Sequence, residues 1–177
     1  MTRVPPSPTG NPEAATFAVV DLRHHPEHAA AVAAWVHREW WSGSAVSLAA
    51  LTEWAEGCAA SNGFPGVLVA VSQGRAIGSV FLHGTEAEDR PAFTPYLGAL
   101  YVEPSWRRQG VGRALVQAVE RHAAGLGFDR LYLNAVPSRT SFYEPLGWKV
   151  VERAYGPHRL NIMRRALPAM RPSLQAP

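Results

Sequence analysis

Tyr96-Leu-Gly-Ala-Leu-Tyr-Val-Glu-Pro-Ser-Trp-Arg-Arg-Gln-Gly-Val-Gly-Arg-Ala-Leu-Val116 decides how the rest of the chain is read. Leu97 to Val102 is an apolar run rich in strand formers, and Pro104, which has no N–H, stops further ladder pairing. Arg107-x-x-Gly110-x-Gly112 then runs into a helical pattern, with Leu115, Val119, His122 and Leu126 at steps of four, three and four and Val111 and Ala118 beside them. A strand thus delivers the backbone to a glycine-punctuated turn that opens a helix. The first N–H groups of a helix lack internal partners, and the dipole places about half a positive charge there. Gly110 and Gly112 carry no Cβ to keep a ligand away, and Arg107, Arg108 and Arg113 add cationic side chains. The expected ligand is a phosphate or diphosphate held on main-chain amides. No Gly-Lys-Ser/Thr follows, which excludes a nucleoside-triphosphate P-loop, and Leu115 stands where a dinucleotide fingerprint needs its third glycine. The plainer alternative, a helix start with packing glycines, leaves the arginines without a purpose.

Further along, Ser141-Phe142-Tyr143-Glu144-Pro145-Leu146-Gly147-Trp148 supplies a second motif. In this order and spacing, Arg-x-x-Gly-x-Gly after an apolar strand and then Phe-Tyr-x-x-x-Gly-Trp, the chain resembles the GNAT N-acetyltransferases. The close resemblance covers Tyr96 to Trp148, and a looser match in element order runs from Phe17 to Leu167. It implies a mixed α/β three-layer fold, with a central twisted sheet of about seven strands, helices on both faces and a splay between strands four and five. It implies acetyl-CoA as cosubstrate, no metal, and an amine acceptor. The pantetheine arm would pair with main chain of Leu100, Tyr101 and Val102 like an added strand. The diphosphate would sit on amides of Arg108, Gln109, Gly110, Val111, Gly112 and Arg113, and Arg107 holds the family's Arg/Gln position. A main-chain N–H near Val102 would receive the carbonyl oxygen as it gains charge. Tyr143 matches the tyrosine that protonates or stabilises the thiolate, Tyr143 and Asn134 are candidate cofactor contacts, and Phe142 is expected in the core. The helix-one to helix-two region would border the acceptor, which makes Trp35, Trp40, Trp41 and Trp54 candidate pocket walls.

The chain departs from that pattern in two places. A base, Glu or His, commonly stands eleven residues before the Arg/Gln; here that position is Tyr96, and Gly98 follows two residues later. His83, Glu86 and Glu103 are the nearest substitutes in sequence, and the role stays open. The loop before the last helix reads Val136-Pro137-Ser138-Arg139, without the Asn that many relatives carry there; Ser138 or Ser141 is the candidate replacement. A non-catalytic acyl-CoA-binding module on the same fold is therefore the second reading, and a nucleotide-binding domain the third.

At 177 residues, one domain over 16–167 is the simplest organisation, with flexible tails at 1–15 and 168–177. Apolar content of 47% and charged content of 18% match ordinary globular chains, and no apolar stretch approaches the roughly 20 residues of a membrane span. Residues 1–16 lack the apolar stretch of a signal peptide. The one cysteine, Cys58, has no partner for an internal disulfide and sits in a helical apolar pattern, which fits a cytoplasmic location. Net charge is only +3 and the arginines are spread out, so nucleic acid is not an expected partner. A homodimer is left open, with the last two strands as candidate edges.

Periodicity gives the remaining elements: a strand over Phe17–Leu22, a helix to Trp40, and a second helix capped by Ser47 with Leu48, Leu51, Ala55 and Cys58 inward. Strands at Gly66–Ser72 and Arg75–His83 are joined by Gln73-Gly74. A polar loop, Gly84–Pro95, precedes strand four. A strand at Arg130–Val136, a short helix closed by Gly147 and a final antiparallel pair complete the chain.

Overall fold

A computed structural model describes residues 16–168, so the expected tails fall outside the described residues apart from Pro168. Seven strands form one mixed sheet: β1 (Ala18–Asp21), β2 (Gly66–Ser72), β3 (Arg75–His83), β4 (Tyr96–Val102), β5 (Arg130–Ala135), β6 (Lys149–Tyr155) and β7 (Leu160–Ala166). Their order across the sheet is β1-β2-β3-β4-β5-β7-β6. All neighbours are antiparallel except β4 and β5, whose connection passes through a helix. The hairpin between β2 and β3 turns on Gln73 and Gly74, both at positive φ, the primed geometry that matches strand twist.

Alternation along the strands sends side chains to two different cores. Leu68, Ala70, Val80 and Leu82 pack under α3 (Val111–Gly125) together with Leu115, Val116 and Val119. Val67, Val69, Phe81 and Tyr101 pack under α1 (Ala29–Val36) and α2 (Leu48–Ala59) with Val32, Trp35, Ala55 and Cys58. Helices therefore cover both faces of the sheet. The Ser47 hydroxyl accepts from the Ala50 N–H as an N-cap, and burial pushes the Cys58 thiol up to about 11, so Cys58 stays a neutral packing group. No helix among the described residues is long and apolar enough to cross a membrane.

Four expectations need correction. Helix one ends at Val36 and continues as a single π-type turn, His37–Trp41, which rotates the following residues off the inward stripe and leaves Trp40 50% exposed. Leu48, at the start of α2, is also exposed rather than inward. β7 inserts between β5 and β6, so of the last two strands only β6 lies at an edge. Phe142 stands 40% exposed, edge-on to Tyr143, instead of in the core.

The 84–95 loop is not a loose connection. Phe93 stacks on Tyr132 with ring centres 4.7 Å apart, and Ala87 is fully buried with Tyr96 and Ile162. Arg90 pairs with Glu152 on β6 at 3.0 Å, and the Tyr155 hydroxyl donates to Asp89 at 2.6 Å. On this part of the sheet a packed loop takes the place of a helix.

Candidate functional site

β4 and β5 touch as a ladder only at Tyr96 and Tyr132, where the Tyr132 N–H donates to the Pro95 carbonyl at 3.0 Å. Beyond that point they part, and the edge of β4 that faces β5 has no strand beside it among the described residues. The β3–β4 register slips between Ser79 and Phe81, with Ala99 at φ 45, so β4 bulges next to the opening. The Glu103 N–H donates across to Ile77 on β3 at 2.9 Å; by alternation the main-chain groups of Val102 face the splay.

The turn that follows bends back over this opening. Gly110 sits at φ 86, a left-handed conformation that suits glycine, and no side chain caps α3. The first amides of α3, Val111, Gly112 and Arg113, are therefore free of helical partners, and no hydrogen-bond partner meets the Arg108, Gln109 and Gly110 amides among the described residues. Arg107 is partly committed elsewhere: its Nε donates to the Val102 carbonyl at 2.9 Å, tying the turn to the strand end and leaving its terminal nitrogens for a ligand. Val102 consequently offers its N–H to the splay, while its carbonyl, expected to pair with a ligand, is already taken. Leu100 and Val102 are half-buried on the α3 side, and Tyr101 is buried on the other, stacked on Trp35 at 5.0 Å with its hydroxyl accepting from Arg38.

The second motif closes the opening from the β5 side. α4 (Thr140–Tyr143) lies between short 3-10 turns, and Gly147 ends the segment at φ 87. Tyr143 rests edge-on against buried Trp148, whose indole N–H donates to Glu120 of α3 at 2.8 Å. Burial pushes the Tyr143 phenol up to about 12; Arg139 opposes the rise and Glu86 adds to it. Tyr143 is thus protonated at neutral pH. Phe142 reaches across to Gly112, where a Cβ would lie 3.4 Å from its ring.

Asn134 points from β5 to the face that bears α1 and α2. Its Nδ2 donates to Glu86 at 3.1 Å, while its buried Oδ1 has no partner among the described residues. Glu86 also lies 3.0 Å from His83 Nε2. Tyr96 is fully buried among aromatic rings, its hydroxyl without a hydrogen-bond partner among the described residues, and burial raises its phenol. It is a packing residue. Glu103 is occupied by the Trp35 indole N–H at 2.9 Å. Of the four candidate pocket tryptophans, Trp41 and Trp54 line a cavity beside His83 and Glu86, whereas Trp35 is core and Trp40 faces outward. Ser138 and Ser141 are both exposed. A grouping not anticipated from sequence is His25, Glu27 and His28, whose potential ligand atoms lie within 4.8 Å of one another just ahead of α1.

The model of the acetyltransferase (GNAT) family matches residues 31–148, more than half of the chain. The chain belongs to the GNAT acetyltransferase family. Among solved structures of GNAT-like fold, the acetyltransferase of Streptococcus pneumoniae is 16% identical, with a TM-score of 0.66 over 86% of this chain and 100% of that one. Salmonella typhimurium yncA, solved with its cofactor acetyl-CoA, is 19% identical, with a TM-score of 0.63 over 86% and 94%. An aminoglycoside 6'-N-acetyltransferase complexed with coenzyme A is 20% identical, with a TM-score of 0.64 over 85% and 96%. At these identities the structures establish the shared GNAT fold. No curated protein matches the chain in sequence.

Proposed function

We propose that this protein moves an acetyl group from acetyl-CoA to a primary amine, by direct attack within a ternary complex. The observation that carries this is the splay of β4 from β5 beside the uncapped start of α3, with a protonated tyrosine at its end. The residues present fit the cosubstrate. A diphosphate is matched by amides of Arg108 to Arg113 and by the terminal nitrogens of Arg107. The amides of a pantetheine arm are matched by the unpaired edge of β4 along Leu100 to Val102, and by the orphaned Asn134 Oδ1, which accepts a hydrogen bond.

The thioester brings an already activated acyl group, so no covalent enzyme intermediate is required. As the amine attacks, the carbonyl oxygen gains charge, and the Val102 N–H, which faces the splay, is the donor that would receive it. The C–S bond then breaks, and Tyr143 supplies a proton to the thiolate.

Calorimetry with CoA, followed by thiol release across a broad amine panel, tests the reading. Binding and amine-dependent release of CoA thiol are expected. Binding without release for every amine would instead assign a sensor. Tyr143→Phe should leave CoA affinity unchanged and lower kcat by about 100-fold. An unchanged kcat with chemistry rate-limiting would remove Tyr143 from the donor role.

A further inference from the structure

On the face of the sheet opposite α3 lies a cavity of about 260 Å³. Its walls are apolar, made by Val36, Leu51, Trp41, Trp54 and Phe81, and its ionisable groups are His83 and Glu86. Trp54 stacks on Phe81 with ring centres 4.9 Å apart, so the aromatic wall is built rather than loose. The polar end is equally fixed. His83 closes β3, and Glu86 follows in a turn held by the Thr85 hydroxyl, which accepts from the Ala87 N–H at 3.0 Å. One Glu86 oxygen lies 3.0 Å from His83 Nε2, and the other accepts from Asn134 across the sheet.

What allows this pair to lie directly on β4 is Gly98. A Cβ there would collide with His83 Nε2 and lie 2.7 Å from Glu86 Oε1. Position 98 is two residues past Tyr96, the last point where β4 touches β5, so the pair sits where the splay begins. Tyr143, on the far side of the opening, feels the Glu86 charge. The cavity and the pair therefore meet at the start of the splay.

We propose that this cavity is the acceptor site for a primary amine on a compact apolar or aromatic body, and that the His83–Glu86 pair binds its ammonium and takes its proton. The inference rests on the acetyltransferase reading and deepens it. The apolar lining, with its ionisable groups at one end, favours a ring and a short chain over an oligosaccharide, whose hydroxyls would face apolar walls. Indole faces attract a cation as well as an apolar ring. A polycation would leave its other ammonium groups against apolar walls with no partner. His83 Nε2 and Glu86 Oε1 lie 3.0 Å apart, so an ammonium at this end of the cavity meets both groups and either can take its proton. One ammonium proton passes to the pair and on to solvent, and the nitrogen lone pair forms the C–N bond. A second proton balances the one Tyr143 gives the departing thiolate, and the third stays on the amide.

The test is acetyl-CoA turnover by the full chain with three acceptors: a phenylalkylamine, an aminoglycoside and a lysine peptide. The phenylalkylamine should show kcat/KM at least about 10-fold above the other two. Glu86→Gln should lower its kcat by about 100-fold with CoA affinity unchanged. Gly98→Ala, which displaces the pair without removing it, should give a similar loss. Trp54→Ala should raise the amine KM and leave kcat near wild type. Preference for the aminoglycoside or the peptide, or wild-type kcat in Glu86→Gln, would overturn this assignment while leaving the acetyltransferase reading intact. Release of thiol with no amine at all would overturn both.

Discussion

The two sides of the splay are built in different ways. On the α3 side, the proposed diphosphate site is main chain from one continuous run, residues 107–113, made available by the left-handed Gly110 and the uncapped helix start. On the α1/α2 side, the cavity is side chains from six separate places: the end of α1, the π-type turn, α2, β3, the turn after it and β4. The first construction depends on the path of the backbone and little on which side chains it carries. The second depends on particular side chains meeting across long sequence separations. The side chains of the α1/α2 side can therefore change while the backbone turn over α3 stays.

Gly112→Asp probes the first construction most severely. An acidic residue in the first turn of α3 favours the helix dipole by about 0.3–1 kcal/mol, so the fold should be at least as stable. The space is adequate, since a Cβ there meets Phe142 in ordinary contact. The new carboxylate nevertheless occupies the proposed anion site, and CoA affinity should fall by about 100-fold, equivalent to roughly 2.7 kcal/mol. Undiminished affinity on calorimetry would return Gly110 and Gly112 to the role of packing glycines. A smaller effect is expected for Arg107→Ala, about 10-fold in CoA affinity, because only the terminal nitrogens of Arg107 are free. Arg107→Lys should not restore it: a single ammonium cannot hold the Val102 carbonyl and an anion in the fork geometry. Full rescue by lysine would mean that charge alone matters there.

What the sequence allowed a reader to see follows the same division. The strand, turn and helix of residues 96–125 were legible because periodicity, Pro104 and Gly110 each act on the chain next to them. The hairpin at Gln73-Gly74 was legible for the same reason. Trp40 was misplaced because a π-type turn shifts the helical phase by one residue, which a count of four-residue steps does not register. Insertion of β7 between β5 and β6 is a choice among strand pairings that alternation leaves equal. The 84–95 stretch read only as a polar loop because its acidic residues were visible and its partners, Glu152, Tyr155 and Tyr132, lie far along the chain. His83 and Glu86 could be named as substitutes for the missing β4 side chain. Their meeting over Gly98 required coordinates, although a glycine in the middle of an apolar strand was the available signal for close approach.

The weakest test concerns the link between the two sides at the β1 edge. Asp21, at the end of β1, accepts from the Arg23 main-chain N–H at 2.9 Å and from its guanidinium at 2.7 Å, and His122 of α3 lies 3.9 Å away. His122 Nε2 is 2.9 Å from the Gly63 carbonyl, which can only accept, so that nitrogen carries the hydrogen. Burial pushes the Asp21 carboxyl up, but the Arg23 hydrogen bonds and the charges of Arg23 and His122 outweigh it, and the net shift is below the usual aspartate range. A depressed value means that the folded state prefers the ionised form. The contribution to stability is therefore complete above the ordinary aspartate range and is lost as pH falls through the folded value. Asp21→Asn should cost about 1 kcal/mol at pH 7 in chemical denaturation, and the gap from wild type should close below about pH 4. A gap that persisted unchanged into acid would mean that Asp21 acts through its shape and its cap, with its charge contributing nothing. The coupling of the α3 side to the α1 side would then be purely one of packing.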